Sequence, residues 1–292
     1  MKIVSRKGAQ PLNSIPETAN DGHERVPLTV LRVMSFNLRH GTADDGPNSW
    51  IHRKSFVIDI IRQFSPDILG LQEALHSQLE ELIPGLPQYG RCGVGREGGS
   101  RGEYCAILYR RKRLDLKASE TFWLSETPAI PSVSWHSNCP RICTVGLFAL
   151  RQSGRTLRVY NTHLDNHSQE AREKGMQVII RHMTGQHPEG PLILLGDFNV
   201  EADNALFSLL KEKTDVAASP VPELADTFRV CHPTEHAAGT FHAFTGRDDG
   251  PRIDYIFVNR QIRPVGAGIL RMNRNGHYPS DHFPIVAELS LD

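Results

Sequence analysis

A carboxylate and a carboxamide follow a short aliphatic run in the second half of the chain. The run Leu192–Leu195 stops at Gly196, and Asp197 and Asn199 come directly after it. Such a run, preceded by Pro191, is typical of a strand buried on both faces. If the chain stays extended, both side chains leave one side of the backbone, where they can hold a metal ion or water and donate a hydrogen bond. Because Gly, Asp and Asn are also turn residues, a plain turn remains the alternative here.

Polar residues recur at the ends of other predicted strands. They are Asn37, Glu73, His163 and Asp165, followed near the C-terminus by Asp254, Asp281 and His282. Each has a structural alternative, since an Asn can cap a turn and a single His is commonly structural. Acids, amides and imidazoles that recur at strand ends are nevertheless what an enzyme site on a sheet edge requires.

The chemistry that suits these residues is hydrolysis of a phosphate ester. Oxygen ligands such as Glu73 and Asp197 favour Mg2+ or Mn2+ over zinc. A carboxylate can orient water for in-line attack, while amide and imidazole donors stabilise the charge that develops in the transition state. A carboxylate such as Asp254 could fix the tautomer of His282.

Apolar periodicity predicts the elements that must position these groups. Val57, Ile60, Ile61 and Phe64 form the stripe of a helix that ends at Ser65-Pro66, and Met176, Ile179, Ile180 and Met183 form that of a second helix, with Ser168 as its N-cap. Shorter helices are predicted near 76–82 and 203–213. Strands are predicted at 31–36, 67–73, 104–109, 120–124, 142–150, 156–163, 192–195, 239–244, 253–258 and 284–290. Few helices and a hairpin at Ser153-Gly154 favour mixed sheets with helices outside.

Length and composition bound the class of protein. Residues 1–28 are predicted to be a flexible polar leader, and residues 29–292 a single domain. Lys plus Arg and Asp plus Glu both number 33, and this balance argues against long duplex nucleic acid as partner. Without a secretory h-region or a membrane-length apolar run, we expect a soluble, cytoplasmic protein, most simply a monomer. Its five cysteines are expected to be free thiols.

Six motifs occur in an order that resembles the endonuclease/exonuclease/phosphatase superfamily, also called deoxyribonuclease I-like. They are Met34-Ser-Phe-Asn37, Gly70-Leu-Gln-Glu73, Asn161-Thr-His-Leu164, Gly196-Asp-Phe-Asn199, Ile253-Asp-Tyr-Ile-Phe257 and Ser280-Asp-His-Phe-Pro284. The resemblance implies an α/β fold: a four-layer α/β sandwich, two mixed β-sheets face to face with helices outside. Phe122-Trp-Leu-Ser-Glu-Thr-Pro128 is similar to the bacterial metal-dependent hydrolase branch.

The same resemblance implies a role for each motif residue in a Mg2+- or Mn2+-dependent phosphoesterase. Glu73 resembles the principal metal ligand, Asn37 a neighbouring metal or phosphate contact, and Asp281 a residue near the metal. Asp197 resembles the residue that orients the attacking water. Asn199 resembles a phosphate or transition-state donor, and His163 a residue that contacts the scissile phosphate or assists the leaving group. His282 resembles a general acid/base or phosphate ligand, with Asp254 as the carboxylate that orients it. The motifs do not decide which His protonates the leaving group.

Substrate contacts are less determined by the sequence. Arg141 is a candidate phosphate ligand, with an ordinary surface Arg as the alternative. The glycine- and arginine-rich segment 90–102, together with Arg110–Arg113, could form a basic groove for a nuclease, or Arg110–Arg113 could be a solvated turn. We therefore expect a small or single-stranded phosphate ester, with a nuclease and a non-catalytic binding module as alternatives.

Overall fold

The computed structural model describes residues 30–185, 190–210 and 223–291 and shows two mixed sheets of six strands each. The leader predicted over residues 1–28 lies outside the described residues. In the first sheet the strand order is β11-β12-β1-β2-β4-β3. Its strands are β1 (Val30–Asn37), β2 (Ile68–Ala74), β3 (Tyr89–Cys92), β4 (Tyr104–Arg110), β11 (Arg263–Ile269) and β12 (Ile285–Ser290).

The second sheet has the order β5-β6-β7-β8-β10-β9. Its strands are β5 (Leu114–Trp123), β6 (Ile142–Leu150), β7 (Thr156–His163), β8 (Leu192–Asp197), β9 (Leu224–Asp226) and β10 (Asp254–Asn259). The helices are α1 (Trp50–Phe64), α2 (His76–Leu82), α3 (Gln169–Gly185) and α4 (Thr227–Cys231).

Alternation along β8 shows how the layers pack. Leu192 and Leu194 join the core that includes α3, whereas Ile193 and Leu195 join the core between the two sheets. Because successive side chains of a strand point to opposite faces, an unbroken aliphatic run serves both cores. Strand β1 is divided in the same way between the intersheet core and the core that includes α1 and α2. The predicted four-layer sandwich is confirmed.

The two long helices have the predicted ends. At the C-terminus of α1, Ser65 adopts a left-handed φ of 55° and its N–H donates to Ile61 O at 2.7 Å. Proline at position 66 cannot continue the helix. At the start of α3, the Ser168 hydroxyl accepts the Ala171 N–H at 3.1 Å, which satisfies one of the free donors of the first turn.

Two strand–helix–strand units position the site. Strands β1 and β2 pair in parallel and are joined through α1, and β7 and β8 pair in parallel and are joined through α3. Antiparallel β12 and β10 flank these pairs, so their N-terminal ends lie beside the C-terminal ends of the parallel strands. The polar strand ends predicted from the sequence therefore meet at one edge of the sandwich.

Some predicted elements are wrong. Residues 239–244 form no strand and contain only an isolated bridge between Phe241 and His282. In place of the helix at 203–213 there is a 3-10 helix at Ala205–Leu210, and residues 211–213 lie outside the described residues. The short strands β3, β9 and β11 were not predicted. Strand β11 is rich in Pro and Gly and carries an irregularity, as an edge strand tolerates.

The arginine run lies far from the predicted site. Strand β4 begins at Tyr104, which pairs with Ala74 near the predicted site, and ends at Arg110, at the opposite end of the strands. Arg110 is the last residue of β4 and Arg111–Arg113 form the turn, and both Arg110 and Arg113 lie within 4 Å of Asp67. Of the two alternatives, the turn is confirmed. Within the described ranges, no helix is long and apolar enough to cross a membrane.

Candidate active site

Asp197 is the centre of the cluster at the sandwich edge. It ends β8, is 1% exposed, and pairs across the sheet with His163 of β7 on one side and Asp254 of β10 on the other. From the first sheet, the Asn37 side-chain amide donates to Asp197 Oδ2 and to Glu73 Oε1, both at 3.0 Å. This amide therefore bridges carboxylates that belong to different sheets.

Two imidazoles approach the same oxygen of Asp197. Nε2 of His163 lies 3.4 Å and Nε2 of His282 lies 3.8 Å from Asp197 Oδ2. On the other side of its ring, His282 Nδ1 donates to Asp254 Oδ2 at 2.9 Å. Because a carboxylate only accepts, this bond leaves Nε2 as the ring nitrogen that faces the cluster. The predicted pairing of Asp254 with His282 is present in the structure.

Glu73 is held in an unusual backbone conformation. Its φ of 57° is left-handed, which costs a non-glycine residue on the order of 1–2 kcal/mol. Its carboxylate accepts the Asn37 amide on Oε1 and the His40 backbone N–H on Oε2, the latter at 3.0 Å. These bonds fix the carboxylate at the strand end.

The strand that delivers Asp197 ends there. Gly196 has a φ of 145°, and a Cβ at this position would lie 1.9 Å from Thr162 O, so only glycine fits. The extended conformation does not continue to Asn199, which has a φ of 52°. Its backbone N–H donates to Asp197 Oδ1 at 2.9 Å, and its side-chain amide donates to Leu164 O at 3.0 Å. A strand end and a turn are thus both present.

The two principal carboxyls have opposite electrostatics. Burial disfavours the charged form of Glu73, but the hydrogen bonds from Asn37 and the His40 backbone and the charge of His282 outweigh it and lower the pKa of Glu73 to about 2. In contrast, burial raises the pKa of Asp197 to about 7, and the Asp254 carboxylate acts in the same direction. Glu73 is therefore a permanent anion, whereas Asp197 can exchange a proton near neutrality.

The two imidazoles differ in the same way. Burial, reinforced by the Arg141 charge, lowers the pKa of His163 well below its ordinary value. Burial also disfavours the cationic form of His282, but the Asp254 and Asp197 carboxylates outweigh it and raise the pKa of His282 well above its ordinary value. One imidazole is thus neutral and the other is a cation at neutral pH.

Asp281 and Arg141 stand on either side of this centre. Asp281 is 7% exposed, accepts the Ser280 hydroxyl at 3.1 Å, and lies 3.8 Å from Arg39 Nε. Burial raises the pKa of Asp281. Arg141 is buried and donates to Asp165 at 3.3 Å and to the side chain beyond it, Asn166, at 2.9 Å. It is therefore a held cation beside His163, and its surface alternative is excluded.

The donor chemistry fits a divalent cation. Asp197, Asp254 and His282 offer ligand atoms within 4.8 Å of one another, but His282 is cationic and bonded to Asp254, so the better ligand is the ionised carboxylate of Glu73, which Asn37 joins to this group. Oxygen-rich sets of this kind suit hard cations. The Nδ1 hydrogen bond to Asp254 makes His282 an oriented imidazole. The carbonyl of Asn37 accepts the Arg39 N–H at 2.9 Å, so its amide nitrogen faces the carboxylates.

Three site-supporting residues were not found from the sequence. His40 acts through its backbone and so leaves no side-chain signal, and Arg39 belongs to the loop after β1. Arg53 is 3% exposed and donates to Leu38 O and Pro279 O, which ties the loop that follows Asn37 to the loop that carries Asp281. A signal existed for Arg53, since it stands four residues before Val57 on the apolar stripe of α1.

The two-sheet sandwich and its edge cluster of acids and imidazoles define an α/β-sandwich hydrolase. Residues 34–282 match the Endonuclease/Exonuclease/phosphatase family, and the chain belongs to this family. Its members are hydrolases that act on phosphate esters and are generally dependent on a divalent metal ion.

Solved structures support the fold and the bacterial branch. The chain superposes on a mannosyl-6-phosphatase from Bacteroides thetaiotaomicron with a TM-score of 0.79 and 32% identity, covering 89% of this chain and 99% of that one. An endonuclease/exonuclease/phosphatase from Bacteroides vulgatus gives a TM-score of 0.80 and 32% identity, covering 90% of this chain and 100% of that one.

A eukaryotic relative is more distant. Nocturnin of Drosophila melanogaster is 25% identical over 96% of this chain. The chain spans 49% of that relative's length, so the match concerns about half of the larger protein.

Proposed function

We propose that the chain is a Mg2+- or Mn2+-dependent phosphoesterase that hydrolyses a phosphodiester or phosphomonoester by in-line attack of water. The observation that carries the proposal is the environment of Asp197. A buried carboxyl with a pKa raised to about 7 meets His163 Nε2 and His282 Nε2 on one oxygen. Such an acid can orient water and accept its proton, which is the task of a general base.

Glu73 and Asp281 would hold the metal ion, with Asn37 as a neighbouring contact. Glu73 suits this role because it stays ionised and is fixed at the strand end by hydrogen bonds. A divalent cation supplies neutralisation of phosphoryl oxygens and of the charge on the leaving oxygen. The Asn37 amide keeps Glu73 and Asp197 at a constant separation, so the metal-holding and water-orienting carboxylates act at one place.

The imidazoles and the amides would handle the phosphate. His282, cationic and oriented by Asp254, presents Nε2 as a proton donor or phosphate ligand, and neutral His163 presents a hydrogen bond. Asn199 and Arg141 would contact phosphoryl oxygens. Each donor that strengthens its bond in the transition state is worth roughly 3–4 kcal/mol on oxyanion-hole precedent.

A small or single-stranded phosphate ester is the substrate class we propose. The solved relative at 32% identity is a mannosyl-6-phosphatase, which supports a small sugar phosphate. Two of the arginines that could have formed a basic groove are paired with acids: Arg91 lies 2.6 Å from Glu80 and Arg96 lies 2.7 Å from Glu103. Neutralised cations bind polyanions weakly, which disfavours duplex DNA.

The deciding experiment is a substrate screen with the purified chain. Sugar phosphates, phospholipid headgroups, dinucleotides and oligonucleotides are incubated with Mg2+ and with Mn2+, and released phosphate or shortened products are measured. We expect turnover of a small ester that His282→Ala abolishes. Preferred cleavage of oligonucleotides would support the nuclease alternative, and no turnover together with no metal binding would support a binding module.

A further inference from the structure

The segment 240–243 is tied to the loop that carries Asp281 and His282. Asp281 O accepts two backbone N–H groups, from His242 at 2.8 Å and from Ala243 at 3.1 Å. In the other direction, the Phe283 N–H donates to Thr240 O at 2.8 Å. Between them, Phe241 and His282 form an isolated antiparallel bridge, and the two rings lie edge to face at 5.1 Å. His282 is therefore held on its backbone and on its ring by one segment.

Thr240 connects this segment to the other half of the His282–Asp254 pair. Its side chain is 0% exposed, and Oγ1 accepts the backbone N–H groups of Ile253 at 3.1 Å and Asp254 at 3.3 Å. Its carbonyl, as above, accepts from the residue that follows His282. Thr240 thus binds the backbone at Asp254 and the backbone directly after His282, the two residues joined by the hydrogen bond of this pair.

The backbone shortly after Thr240 is strained, at the point where it contacts the loop of Asp281 and His282. Ala243 and Phe244 have consecutive left-handed φ values of 48° and 61°, which non-glycine residues rarely adopt. Such conformations persist only where surrounding contacts over-determine them. Here the paired N–H groups on Asp281 O and the His242 ring, stacked on Phe283 at 3.9 Å, provide those contacts.

We propose that Thr240 is a positioning residue of the active site, whose hydroxyl sets the placement of Asp254 relative to His282. The inference rests on the proposed function of that pair. Thr240 has no contact with the reacting atoms in this role. It acts by keeping β10 and the 281–283 loop in register, so that the Asp254–His282 hydrogen bond forms at 2.9 Å and His282 Nε2 faces the cluster.

The competing explanation is that Thr240 only stabilises the fold, and the chain offers a matched control for it. Thr227 is also a buried threonine, 2% exposed, and its hydroxyl donates to Ile256 O at 2.9 Å. Ile256 lies on β10, two residues from Asp254. Replacement of either threonine by valine removes one buried hydroxyl that binds the same strand, but only Thr240 reaches the His282 loop.

The test compares Thr240→Val, Thr240→Ser and Thr227→Val for turnover and thermal unfolding. We expect Thr240→Val to lower kcat by about 10- to 100-fold with KM changed less than about twofold, because small misplacements of catalytic groups cost rate more than binding. Thr240→Ser, which keeps the hydroxyl, should restore kcat. Thr227→Val should lower the unfolding temperature comparably and leave kcat near that of the wild type.

A second measurement does not need turnover. In protein labelled with 15N-histidine, the His282 Nδ1 proton that is bound to Asp254 should resonate far downfield, with His282→Ala giving its assignment. We expect Thr240→Val to shift or broaden this resonance and Thr227→Val to leave it in place. Equal behaviour of the two valine variants, in rate or in spectrum, would overturn the positioning role. A wild-type chain inactive on every ester would instead overturn the proposed function, while the spectrum would still decide the role of Thr240.

Discussion

The two strand–helix–strand units are alike in architecture and different in chemistry. The first, β1-α1-β2, ends its strands in Asn37 and Glu73, and the second, β7-α3-β8, ends them in His163 and Asp197. Each packs a helix on its outer face and an antiparallel strand at its side. Yet the pKa of Glu73 is lowered to about 2, while that of Asp197 is raised to about 7.

Burial and a neighbouring carboxylate account for much of this difference. Glu73 is half-buried and receives an amide N–H and a backbone N–H, which stabilise its charge. Asp197 also receives donors, but it is fully buried and faces the Asp254 carboxylate along the sheet. Units of the same secondary structure thus place a stable anion at one strand end and a carboxyl that titrates near neutrality at another, which suits the proposed roles of metal ligand and general base.

The largest effect is expected from Asp197→Asn. An asparagine has the same shape but cannot accept a proton, so kcat should fall on the order of 10⁴-fold. Because burial already opposes the charge of Asp197, the neutral variant should unfold at the same or a higher temperature. Steady-state kinetics and calorimetry check both parts. Loss of activity with a large drop in unfolding temperature would mean that Asp197 is a structural residue.

Glu73→Gln tests whether the first unit holds the metal ion. If the first unit holds the metal ion, this variant should weaken Mn2+ binding at least about 10- to 100-fold, the range produced even by loss of an outer-shell partner. Asp197→Asn should keep affinity near the wild-type value. Titration calorimetry with Mn2+ after removal of metal by a chelator measures both variants. Equal loss of Mn2+ affinity in the two variants would show that both units take part in metal binding.

Asp254→Asn should have a smaller effect on rate. It leaves an oxygen or an amide beside His282 Nδ1 but removes the charge that stabilises the imidazolium. We expect kcat to fall on the order of 10²-fold with Mn2+ affinity retained. The same kinetics and titrations apply. A rate that equals the wild type would show that His282 does not depend on Asp254 for its orientation.

The sequence predicted the layers better than the loops. Apolar periodicity predicted the strands that are buried on both faces, such as β8, and the amphipathic helices α1 and α3. The polar residues at the C-terminal ends of the strands do meet at one edge of the sandwich. Backbone donors such as His40 N–H have no sequence signal. Left-handed residues such as Asn199 depend on tertiary contacts, and an edge strand with Pro and Gly, β11, has no apolar period. The supporting loops were therefore beyond prediction.

The smallest effect is one on stability, and it is expected from replacement of Asp165, which lies two residues after His163 at the end of β7. Burial disfavours its charge, but hydrogen bonds from the Ser137 hydroxyl and from the His167 and Ser168 N–H groups, with the Arg141 charge, outweigh it and lower its pKa. A depressed folded-state pKa stabilises the fold above the unfolded-state value of about 3.9, and this contribution is lost as pH falls through the folded-state pKa.

Asp165→Asn should therefore lower the free energy of unfolding by about 1.5–3 kcal/mol at neutral pH, the usual worth of hydrogen bonds to a charged group. The difference from wild type should shrink as pH falls below about 4, where the unfolded carboxyl is protonated. Urea unfolding at pH values on both sides of this range measures it, with the exposed Asp203→Asn as control. A difference that persists unchanged in acid would mean that the shape of Asp165 matters and its charge does not.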